Sequence, residues 1–157
     1  MPEMIRGKCP GLPSAAGCFI AAGQADVHGR VYEAGAVFAV SARRFPRLHE
    51  LGHAFDTTML DAGEREAFSG ILHLRDLLWT WSYEDALGRL IQDPRTLAEA
   101  FADAYANCRL HRKVGSGEIW EAGSDYYPTR RMHARVCRLI VAAGRDTGAS
   151  VAIDGSR

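Results

Sequence analysis

His49-Glu50-Leu51-Gly52-His53 sets two imidazoles four residues apart with a carboxylate beside the first. On a helix these two positions stand one turn apart on the same face, so both rings can address one metal ion. Glu50 is rotated off that line and is placed to take a proton from a water instead of binding the metal itself. The plain alternative is a pair of surface histidines on an amphipathic helix. Catalytic zinc takes three protein ligands and keeps one position open, so a third donor is needed. The spacing that would supply a third histidine at position 59, after a glycine at 56, is not met, because those positions hold Met59 and Asp56. Downstream, Glu99-Ala100-Phe101-Ala102-Asp103 offers two carboxylates one helical turn apart. Glu99 can ligate while Asp103 accepts the N–H of a ligand histidine and fixes its tautomer. Asp103 in place of Glu99, and His73, stay open as rival ligands. Asp56 follows His53 on the same face and can support a ligand from behind through a hydrogen bond.

These residues need elements to position them. Met1 to Gly17 is rich in Pro, Gly and Ser and reads as an extended or flexible arm. Cys18 to Ala21 and Val31-Tyr32 are strand-like about a turn at His28-Gly29, and Ala36 to Val40 is a short apolar run, together predicting a sheet of two or three strands. The pattern then turns helical. A first helix from near Pro46 carries the histidine pair, and a second spans Glu64 to Leu78, closed by Trp79 and Trp81. A third opens at Asp93-Pro94 with Asp93 as N-cap and carries Glu99 and Asp103. Gly115 and Gly117 begin a loop that runs through Tyr126-Tyr127-Pro128 to a last helix, Thr129 to about Ala143, with Met132, Val136, Leu139, Ile140 and Ala143 on one stripe. The expected fold class is α+β: a small N-terminal antiparallel or mixed sheet followed by a mainly helical core.

The run from His49 to Asp56, followed by Glu99 to Tyr105, resembles the gluzincin metallopeptidases. The similarity is greatest to the branch containing the catalytic domain of anthrax lethal factor and the Pro-Pro endopeptidases, and it covers roughly Val37 to Arg109. It implies a zincin-like core, one zinc per chain held by His49, His53 and Glu99, Glu50 as general base, and hydrolysis of a peptide bond in a peptide or protein substrate. In that branch a tyrosine about seven residues before the ligand glutamate stabilises the oxyanion; here the position is Gln92. Tyr126 and Tyr127 are the candidates for that catalytic role, with Tyr83, His111 and His133 as further donors. An extended substrate is expected against the strands of Val31 to Val40, which lead into the zinc helix. The alternative function is a zinc-binding regulatory or interaction module with a degenerate peptidase site.

Composition bounds the remaining classes. The 157 residues, 47% hydrophobic and 24% charged, make one globular domain large enough to fold without metal or disulfides. Nineteen basic and nineteen acidic residues cancel, which argues against a nucleic-acid or anionic-membrane binder acting through its overall field. The arginines of the last helix, Arg130, Arg131, Arg135 and Arg138, read as a solvated face. No apolar stretch spans a bilayer and no signal peptide is visible, so the location is left between cytoplasm and delivery by another route. Cys9, Cys18, Cys108 and Cys137 form no C-x-x-C pair. Cys9, in Lys8-Cys9-Pro10-Gly11, has the chemistry to cap zinc as a thiolate; a Cys9–Cys18 bridge or free thiols are the other readings.

Overall fold

A computed structural model describes residues 1–40, 44–75, 77, 79, 83–84, 90–91, 96–112 and 126–146. Trp81, the side chain of Tyr83, Gln92, Asp93, Pro94, Gly115 and Gly117 lie outside the described residues. The fold is α+β, and its main sheet is mixed. Its elements are β1 (Glu3–Arg6), β2 (Gly17–Ile20), β3 (Gln24–Ala25), β4 (Val31–Tyr32), β5 (Ala36–Ala39), α1 (Arg44–Met59), α2 (Ala62–Leu72), β6 (Tyr83–Glu84), β7 (Leu90–Ile91), α3 (Leu97–Arg109) and α4 (Arg130–Asp146).

All four residues of β5 are buried, as its unbroken apolar run requires of a central strand. It pairs in parallel with β1, Glu3 opposite Ala36, and antiparallel with β2, Gly17 opposite Ala39. The N-terminal arm expected to be flexible therefore holds a sheet strand, and Cys9 is bonded to Cys18 of β2. That bond removes the thiolate that a zinc-capping arm needs. The strand order β1-β5-β2 places β5 between two neighbours, so within the expected Val31–Val40 region β5 offers no open edge, and β4 is paired with β3. The edge that lies against the metal-motif helix belongs to β2.

One face of the sheet, through Phe19 and Val37, packs on Ala54 of α1; the other buries Phe38, Tyr32 and the Cys9–Cys18 pair. The turn predicted at His28-Gly29 closes the β3–β4 hairpin, with Asp26 accepting from the backbone N–H groups of His28 and Arg30. The larger core lies among the helices, where Phe55, Phe68, Phe101, Tyr105, Val136 and Ile140 meet.

Helix ends depart from expectation at several points. α1 begins two residues before Pro46. α2 starts on Asp61, whose carboxylate accepts from Glu64 N–H while the Glu64 side chain accepts from Asp61 N–H, and it stops at His73 in the left-handed conformation instead of running to Leu78. α3 is capped by Thr96, which accepts from the backbone N–H of Glu99, so it begins three residues beyond Pro94. α4 keeps the predicted stripe, with Val136, Ile140 and Ala143 buried, and a Cys108–Cys137 disulfide joins it to α3. Among the described residues, no helix is long and apolar enough to cross a membrane.

Candidate metal centre

The histidine pair sits mid-helix on α1, and the carboxylate pair lies in the first half of α3. The helices run in opposite directions, because His49 meets Asp103, Gly52 meets Ala102 and His53 meets Glu99. Contact is closest at Gly52, where an added Cβ would lie 2.6 Å from the Cα of Ala102. That glycine lets the second and third donors approach.

His49 Nε2 is 3.1 Å from Glu99 Oε2, and His53 Nε2 is 3.4 Å from Glu99 Oε1. One donor atom from each of the three residues falls within 4.8 Å of the others, a convergence able to hold a metal ion. Two imidazoles and a carboxylate suit zinc, and suit other first-row transition metals as well. His49 Nδ1 donates to Asp103 Oδ1 at 2.8 Å, which leaves Nε2 as the nitrogen facing Glu99. Asp103 therefore stands behind His49, and Glu99, not Asp103, is the carboxylate that converges with both histidines. His73 lies exposed at the C-cap of α2, away from the convergence.

Asp56 has a different task from the one expected. Its buried carboxylate accepts from Arg65 Nε at 2.9 Å and from Trp79 Nε1 at 2.9 Å, while Arg65 also donates to the Asp56 carbonyl. It fastens the end of α1 to α2 and to Trp79. Sequence spacing placed Asp56 on the right face but carried no sign of partners nine and twenty-three residues away.

Glu50 is buried beside the triad, and burial raises its carboxyl pKa against the lowering influence of His49 and His53. Gly17 of β2 makes room for it, since a Cβ there would stand 2.9 Å from both Glu50 Cγ and Oε1 and 2.9 Å from the Phe38 carbonyl. Sequence reasoning missed Gly17, which reads only as the last residue of a Gly- and Pro-rich arm. Of the two tyrosine candidates, Tyr126 is buried and its hydroxyl donates to His133 Nδ1; Tyr127 is 62% exposed. Burial, with the charge of nearby Asp103, pushes the Tyr126 phenol up, so it stays a proton donor. Burial holds the His133 imidazole below its ordinary value. A second convergence, of Cys108, His133 and Cys137, is closed by the disulfide. His111 adopts the left-handed conformation just past α3 and is exposed.

Burial alone would lower the His49 pKa, but hydrogen bonds to Asp103 and Glu99 hold it up at about 10. Burial would raise that of Glu99, but the two histidines hold it down at about 2. The stability from the raised imidazole is complete below 6.5 and is lost as pH rises through about 10. That from the depressed carboxyl is complete above 4.5 and is lost as pH falls through about 2. Thermal melting of the metal-free protein in chelator should therefore be highest between these limbs, and Glu99→Gln should flatten the acid limb. An acid limb of unchanged depth in that variant would mean that the Glu99 pairing contributes nothing to it.

The chain matches no family model, no curated protein and no solved structure.

Proposed function

We propose that the chain is a zinc-dependent endopeptidase, with zinc held by His49, His53 and Glu99 and with Glu50 as general base. The observation that carries the reading is the convergence of His49 Nε2, His53 Nε2 and a Glu99 carboxylate with a second, buried carboxylate, Glu50, beside it. Zinc bound there would supply Lewis acidity and lower the pKa of a water towards about 7. The chain's own groups supply the rest. Glu50, with its carboxyl raised by burial, takes the proton from the attacking water and returns it to the leaving amine. Asp103 keeps the His49 ring in one orientation and one tautomer.

An extended peptide would pair with β2. Ala16 accepts from Val40 N–H, so by the antiparallel alternation Cys18 and Ile20 bond inward to β5, and Gly17 and Phe19 turn their N–H and C=O groups to the open edge. Gly17 adjoins Glu50. A peptide complex in which the substrate lies away from β2 would refute this placement.

The test of the whole reading is cleavage of a mixed peptide library by zinc-loaded protein. Hydrolysis should vanish in chelator, return on adding zinc, and be absent in Glu99→Ala. Less than about half an equivalent of zinc on the purified, zinc-supplied protein would count against any metal role. The second reading, a zinc-binding regulatory module, draws support from the Tyr126 hydroxyl being held by His133. It predicts full zinc with no cleavage.

Loss of the orienting carboxylate is a separate prediction. Asp103→Ala should bind zinc about tenfold to a hundredfold more weakly at pH 9, where protonation of His49 competes less than at neutral pH. Competition against a fluorescent chelator measures this, and unchanged affinity would remove Asp103 from the site.

A further inference from the structure

The reverse of the α1–α3 pair carries a feature that the metal site does not use. A groove of about 980 Å³ runs between α1, α3 and α4. Its α1 positions, Arg44, Leu48, Leu51 and Phe55, lie on the helix face nearly opposite His49 and His53, and its α3 positions Tyr105 and Cys108 lie nearly opposite Glu99. The chain is neutral as a whole. Among the described residues, this groove is lined by Arg44, Arg47, Arg109, Arg112 and Arg145 and by no Asp or Glu.

The charge is distributed unevenly along the groove. Arg112 lies over the Phe45 ring at 4.9 Å, which brings the end of α3 to the start of α1. Arg44 and Arg47 at the start of α1 and Arg109 and Arg112 at the end of α3 thus stand at one end, and among the described residues none has a carboxylate partner. From there Leu48, Leu51 and Ile140 line the groove as far as Phe55, against which Gly144 sits with room for a Cβ at 3.6 Å from the ring, and the fifth arginine, Arg145, follows Gly144 at that far end. The distance from Arg44 to Phe55 along α1 is about 16 Å at 1.5 Å per residue. A cationic end and an apolar channel of that length complement a molecule with one anionic head and one chain. An acidic amphipathic helix would instead call for cations along both rims.

We propose that this groove binds a single-chain amphiphile with an anionic head, a long-chain carboxylate. The head is held by the arginines at the start of α1 and the end of α3, and the chain runs towards Gly144. Guanidinium forks suit a carboxylate bidentately, and the apolar floor gives affinity that grows with chain length.

Calorimetric titration with dodecanoate and octanoate below their micelle concentrations and dodecanol below its solubility limit tests this. Dodecanoate should bind saturably at one site, about tenfold or more tighter than dodecanol, since bonds to a charged head are lost in the alcohol. Arg44→Gln/Arg47→Gln should lose most of that preference with an unchanged melting temperature. Gly144→Leu, which plugs the far end, should keep octanoate binding but erase the advantage of the four extra methylenes, each worth about threefold to fourfold when buried. Equal binding of acid and alcohol, or the same dodecanoate affinity in both variants, would overturn the proposal. So would saturable binding of a glutamate-rich peptide without any of dodecanoate, or a dimer dissolved by Arg44→Gln/Arg47→Gln, which would assign the groove to an acidic partner or to a second copy.

Discussion

Glu50→Gln should leave zinc bound at one equivalent and reduce peptide hydrolysis by about 10² to 10⁴ or more, the usual contribution of a positioned general base. The converging donor atoms belong to other residues, and the amide fills the volume of the carboxylate beside Gly17. Stability should hold or rise, because Glu50 is buried and burial already disfavours its charged form. Loss of activity with an intact melting temperature and intact zinc therefore separates chemistry from folding. Gly17→Ala is the companion variant. Its methyl group needs space now filled by Glu50 Cγ and Oε1, and the Phe38 carbonyl blocks retreat on the other side. The carboxylate has to move, so kcat should fall while zinc affinity stays the same. Equal activity of wild type and Glu50→Gln would sink the proposed mechanism even with the metal in place.

What was legible in the chain was local. The histidine pair and the Glu99–Asp103 pair follow from a turn of helix and nothing else, so both were readable before any fold was known, and each lies on the helix expected to carry it. The strands near residues 18, 31 and 36 came from short apolar runs for the same reason. What failed was decided by distant partners. β1 joins the sheet through a parallel pairing some thirty residues away, and parallel partners leave no turn signature between them. The stop of α2 at His73 depends on a left-handed histidine where glycine would be the usual signal. Asp93-Pro94 is a good helix-start pair, but Thr96 is the residue whose hydroxyl reaches the Glu99 N–H. The disulfides are of the same kind: Cys108 and Cys137 meet only because α3 and α4 pack together.

Gly52→Ala should damage the site without touching any ligand. Alanine is the better helix former by about 1 kcal/mol, so propensity alone predicts a gain in stability. Packing opposes it. The new methyl group would lie 2.6 Å from the Ala102 Cα, 3.1 Å from its carbonyl oxygen and 3.2 Å from its Cβ. Two of those atoms are backbone of a helix packed against α1, which cannot rotate aside as a side chain does. The helices must separate, and overpacking of this kind costs about 1–3 kcal/mol. The net loss should lower the melting temperature by several degrees, at about 2–4 °C per kcal/mol for a chain of this size. Separation also stretches the paths from His49 to Asp103 and from both histidines to Glu99, so zinc affinity should fall along with stability. Ala102→Gly added to Gly52→Ala distinguishes this from a generic core defect. It removes the contact at 3.2 Å but leaves the Cα in place, so it should restore little. Full recovery in the double variant, or a single variant with wild-type melting and zinc affinity, would show that the α1–α3 spacing is not what sets the metal geometry.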